Sequence, residues 1–113
     1  MKSVKFNKKI DIQNYARVEN EVGEEMKQWQ SFAKVWAHFL KSYIKIDEPL
    51  KAEKNVENIY CEIVIRYRED IDTAMRVVYQ EKSYSIDHVV NDKEQNIETH
   101  LFCTLIEEGV YNE

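Results

Sequence analysis

The sequence predicts a mainly β fold, a small antiparallel β-barrel of about six strands with one long connection carrying a short helix. Three observations lead there. Between residues 59 and 86, two strongly β-favouring runs, 59–67 and 75–79, flank a short acidic connection, and a third strand pattern starts at once from Lys82. Apolar and polar residues alternate with a period of two along much of the rest of the chain. Six short strands with mostly short connections also need a closed sheet, because closure removes unpaired edges.

Taken in order, residues 10–15 alternate and read as the first strand, and the polar stretch 16–27, with Gly23 in it, reads as a loop or wide turn. The second strand spans about 29–40. Ala33, Val35, Ala37 and Phe39 share one face, and Phe32, Lys34, Trp36, His38 and Leu40 share the other. Apolar residues on both faces imply two coverings, a core inside and a neighbour or partner outside. Residues 41–58 alternate weakly and then break at Pro49, after which a short helix with Ala52, Val56 and Ile59 on its apolar side is expected. So long a connection either plugs one end of the barrel or reaches a partner or channel lumen.

The third strand puts Cys61, Ile63, Ile65 and Tyr67 on one face and Tyr60, Glu62, Val64 and Arg66 on the other. Residues 68–72 turn the chain. A helix over 66–77 would suit the charge pattern, but the β-branched run that follows favours strand–turn–strand. Gln80-Glu81-Lys82 forms a tight turn without the usual glycine or asparagine. Tyr84, Ile86, His88 and Val90 then alternate with smaller or polar neighbours, 91–96 is a polar loop, and 99–107 is the last strand.

At 113 residues the chain is expected to form one domain over 1–113. Its 21 acidic and 16 basic residues give a formal charge of −5, which disfavours free nucleic acid as the primary ligand. The basic N-terminus lacks the apolar run of a signal peptide, and no stretch reaches the length of a membrane span. Cys61 and Cys103 sit among apolar neighbours in strands and are expected to be buried free thiols. His38, His88 and His100 are scattered singly, without ligand spacing, so no metal site and no cofactor are expected. Glu69, Asp70 and Asp72 cluster in a turn, where acids are common for ordinary turn reasons. No nucleophile motif or glycine-rich phosphate loop is present, so no catalytic residues are assigned and an enzyme is not expected. Tyr60, Tyr67, Tyr79 and Tyr84 near Arg66, Arg68 and Arg76 could serve a single-strand-binding barrel, but cross-strand packing accounts for them more simply.

An ordered set of short pieces carries a family resemblance. Lys9-Ile10-Asp11-Ile12-Gln13 opens it, then Gly23…Trp29…Val35-Trp36-Ala37, then Ile65-Arg66-Tyr67-Arg68 with Asp70-Ile71, then Arg76-Val77 and Tyr84-x-Ile86. Over residues 9–105 the chain resembles the head-tail joining (head-closure, or stopper) proteins of long-tailed phages, with Gln80-Glu81-Lys82 where that family usually has a small or glycine-containing turn. The resemblance implies a β-barrel subunit assembling into a ring below the portal and adaptor proteins, closing the DNA-filled head and docking the tail. It implies assembly in the host cytoplasm, a place in the virion connector, self-association, and DNA passing through without sequence recognition or membrane contact. On that reading the near-neutral segment 41–58 is the candidate channel-gating loop, with Lys41, Tyr43, Lys45, Lys51 and Lys54. Trp36 and the turn acids Glu69, Asp70 and Asp72 are candidate subunit or partner contacts. The alternatives are a tail-terminator protein, or a stand-alone small barrel that binds peptide or nucleic acid.

Overall fold

The β-branched and aromatic runs fold into six strands, β1 (Lys8–Glu19), β2 (Glu25–Asp47), β3 (Val56–Arg66), β4 (Arg76–Tyr79), β5 (Lys82–Asn91) and β6 (Glu98–Glu108). This is a computed structural model, and it describes residues 6–47, 56–91 and 97–108. All neighbours pair antiparallel, in the closed order β1-β2-β3-β6-β5-β4. The barrel with about six strands is as the sequence predicts.

Alternation sends one face of each strand inward. Ile10, Ile12, Ala37, Ile63, Ile65, Val77, Ile86 and Leu101 fill the barrel, with Cys61 and Cys103 directly opposite each other across the β3–β6 ladder. Each fully buried isoleucine here contributes roughly 2 kcal/mol from apolar area alone. The ring of Phe39 packs at 5.2 Å from that of Tyr79 and 6.1 Å from that of Tyr84, sealing the side where β4 and β5 meet.

β3 and β4 lie on opposite sides of the ring, so residues 67–75 form a crossover and not a hairpin. The crossover runs over the barrel end and inserts Ile71 and Met75, both buried, as its plug. Thr99, wholly buried at the start of β6, anchors it: the hydroxyl accepts from the Arg68 N–H (2.9 Å), donates to Asn91 Oδ1 (2.6 Å), and lies 3.1 Å from the Arg68 carbonyl.

β2 departs most from the sequence expectation. Its 23 residues would stretch roughly 70 Å if straight, yet the longest dimension of the molecule is 49 Å. β2 therefore coils. Two bulges let it bend, since Phe32 and Leu40 have no partner in the β1 and β3 registers respectively. The second bulge resets the alternation, so Lys41, Tyr43 and Lys45 continue the outer face begun by Lys34, Trp36 and His38.

Three expectations need correction. Residues 16–27 are not a wide loop; β1 runs to Glu19, β2 starts at Glu25, and only 20–24 turn. Residues 41–47 and 56–58 are paired strand and not part of a long connection. The short helix expected after Pro49 is absent among the described residues: Val56 and Ile59, two of its three apolar positions, are strand, and the rest of it lies outside them.

Candidate functional site

Two hairpins outgrow the barrel, and both contain β2. Beyond Gln13, β1 has no neighbour except β2, so residues 14–30 form a two-stranded ribbon at one end. Beyond Tyr60, β3 pairs only with β2, giving a second ribbon at the other end.

The β1–β2 ribbon is closed by Asn20. Its side-chain oxygen accepts from the N–H groups of Val22 (3.0 Å) and Glu24 (2.9 Å), and Gly23 takes a φ of +88°, which a side chain would strain. Along one ribbon face runs a continuous stack. The Arg76 guanidinium lies 4.4 Å from the Trp29 ring centre, Trp29 lies 5.1 Å from Tyr15, and the Lys27 ammonium lies 5.8 Å from Tyr15. Arg76 is also fixed by its Nε–H donating to Gln13 Oε1 at 2.8 Å. Sequence reasoning missed this ribbon. The signal was there: alternation on both sides of Asn20…Gly23 marks a hairpin.

The outer wall of β2, β3, β6 and β5 can be read in cross-strand rows. Trp36 stands beside Lys9, whose Nζ is 5.1 Å from its ring centre. The next row is His38, Val64, His100 and Val90, and the one after is Lys41, Glu62, Phe102 and His88. Val64 is only 1% exposed although it points outward, so its row neighbours cover it. Trp36 (51% exposed) and Leu40 (44%) stay open to solvent. His100 is gripped by Glu62 at 2.6 Å and Glu98 at 3.3 Å. A shallow groove of about 650 Å³ opens between Lys41, Tyr43, Tyr60, Glu62, Asp87, His88 and Phe102.

The candidate residues thus separate into two regions. Lys41, Tyr43 and Lys45 are exposed at the base of the β2–β3 ribbon, where Tyr43 packs on Tyr60 with ring centres 5.7 Å apart. Lys51 and Lys54 lie outside the described residues. Trp36 is on the wall, whereas Glu69, Asp70 and Asp72 are on the crossover and largely serve its own shape. Asp70 receives two hydrogen bonds from the Arg68 guanidinium, at 2.9 and 2.8 Å. These hold its carboxyl below the usual carboxylate range against a smaller opposing desolvation. Glu69 accepts from the Tyr67 hydroxyl, which raises the phenol above its ordinary value. Asp72 accepts from the Ala74 N–H through its side chain and from the Met75 N–H through its carbonyl. Among the described residues, no group of three or more His, Cys, Asp or Glu side chains is placed to hold a metal ion. The two thiols are free, and burial pushes Cys61 up to about 11 and Cys103 higher still.

A closed barrel with two outlying ribbons and a half-open apolar wall defines a module that can meet other proteins on several surfaces. The chain belongs to the phage head completion protein family, whose model matches residues 1–108, and its role is structural, in the phage head. Among solved structures, it resembles a chain in the virion of a native gene transfer agent particle, at 16% identity and a TM-score of 0.60, covering 88% of this chain and 94% of that one. It also resembles protein SF1141 from Shigella flexneri 2a, at 20% identity and a TM-score of 0.58, covering 99% and 100%. At these identities the likenesses show the fold. No curated protein matches.

Proposed function

We propose that this chain is a head-closure subunit: copies assemble into a ring below the portal and adaptor, close the DNA channel after packaging, and present the docking surface for the tail. The reading is of a structural and non-enzymatic part. The observation that carries it is the pair of ribbons at opposite ends of a closed barrel. Closure pairs most of the strand edge of the barrel body, β5 beyond Ser85 excepted, and so leaves little backbone through which to associate. Contacts then fall mainly to the ribbons and the outer wall, and one ribbon can face the lumen while the other reaches a neighbour. In the ring, the segment 41–58, whose candidate residues are Lys41, Tyr43, Lys45, Lys51 and Lys54, narrows the channel, and its near-neutral composition lets DNA slide without adhering.

The test is deletion of the gene in the phage or prophage that encodes it, followed by electron microscopy of the lysate. Heads emptied of DNA beside normal free tails are the expected result. Stable filled heads beside tails of irregular length would make it a tail terminator instead. Intact tailed particles would remove any role in joining and favour the stand-alone binding barrel.

A further inference from the structure

We infer that the tip of the β1–β2 ribbon of one copy docks on the β2 wall of the next copy, over the stripe formed by Lys34, Trp36 and Lys41. The inference rests on the ring reading above and specifies its contact.

The two surfaces match in charge and in apolar character. Residues 18–26 at the tip carry four glutamates, of which Glu25 pairs with the flanking Arg17 at 3.2 Å, while Glu19, Glu21 and Glu24 give the tip its acidic character. Two large apolar side chains are exposed among them, Val22 at 78% and Met26 at 48%. The stripe is the reverse. From Lys34 to Lys41, β2 itself has no acidic residue, and Lys9 of β1 adds a further cation over Trp36. Trp36 and Leu40 supply the open apolar area between the lysines. Two carboxylates flank the stripe in the ladders, Asp11 opposite Lys34 and Glu62 opposite Lys41, and each has other partners, so with Lys9 the stripe keeps three ammonium groups against two carboxylates. Asp11 accepts from Ser31 (2.6 Å) and Gln13 (2.9 Å), and Glu62 holds His100. An acidic, apolar tip therefore meets a basic, apolar wall, the arrangement that steers association and fixes register.

The tip cannot reach its own wall. Both lie on β2, held apart along the β1–β2 ladder, which runs from Glu19↔Glu25 to Lys8↔Ala37 with one bulge at Phe32. The complementary surface on a second copy is within reach, and because tip and wall are different surfaces the contact is head-to-tail, which makes a ring when the rotation between copies closes. Duplex DNA is the competing occupant of a lysine stripe. It would use the charge but leave Trp36 and Leu40 uncovered, and it would not call for the acidic tip.

Charge reversal tests the pairing, with the full chain supplied in trans to phage lacking it. Glu19→Lys with Glu21→Lys on the tip, or Lys34→Glu with Lys41→Glu on the wall, should each lower the yield of tailed particles, by roughly tenfold per reversed contact. All four side chains are exposed, but Lys34 and Lys41 face Asp11 and Glu62 in the ladders, so thermal melts check that each variant is folded. Lys34→Gln with Lys41→Gln, which removes the charge without setting like charges opposite, should also lower the yield. A chain carrying both reversals should recover yield. Failure of that chain to recover, while wild type complements, overturns the pairing and leaves the ring reading intact. Loss of particles from the wall reversal alone, with the tip reversal harmless, also overturns it and makes the stripe DNA-facing. Normal particles without any chain would instead remove the ring reading itself.

Discussion

Thr99 shows how much one hydroxyl can organise. Itself fully buried, it joins β6 to the crossover and to Asn91, both half-buried. Thr99→Val keeps the shape but strands the Arg68 N–H and the Asn91 oxygen, and should cost about 1–3 kcal/mol by urea denaturation. Nothing local marks this residue, because its burial depends on a crossover whose Arg68 lies 31 positions earlier in the chain. The thiols were legible by contrast: apolar neighbours on alternating positions imply burial. Cys61 ionises more readily unfolded, near 9.0, than folded, near 11. Its contribution to stability is therefore full below pH 9.0 and is lost as pH rises toward 11. Thermal melts across that window should show a steeper alkaline loss for the wild type than for Cys61→Ala.

At the scale of elements, strand existence was legible and strand length was not. Periodicity locates all six strands, yet β2 outruns its expected range at both ends. Bulges at Phe32 and Leu40 break the phase that alternation relies on, and cross-strand pairing holds Lys41–Asp47 extended despite weak local patterning. The β4–β5 turn shows a clearer conflict. Gln80 and Glu81 both take positive φ, 50° and 68°, as the two central residues of a hairpin closed by Tyr79 and Lys82. That is the conformation for which Asn-Gly is suited. Gln80→Asn with Glu81→Gly should stabilise the protein by about 1 kcal/mol, read as a higher denaturant midpoint with an unchanged slope.

At the scale of the molecule, the radius of gyration is 16.2 Å, against roughly 13 Å for a compact chain of this length. The ribbons account for the excess, and the core does not include them. The ribbon beyond Ala16 and Gln28 adds nothing to the buried cluster. Replacing residues 17–27 by Asn-Gly should therefore leave global stability within about 1 kcal/mol of wild type while abolishing particle assembly. Equilibrium unfolding and particle counts separate the two effects. The barrel class and the wall position of Trp36 could be read from alternation. The turn acids as a contact surface could not be judged so, since their local partners emerge only when the crossover folds.

β2 is the one strand shared by both ribbons, and this has a mechanical consequence. A pull between the two tips runs along β2 and loads its ladders to β1 and β3 lengthwise, so many hydrogen bonds resist together instead of opening one by one. The Phe32 and Leu40 bulges are the compliant points on that line of force, where the strand can straighten before any ladder yields.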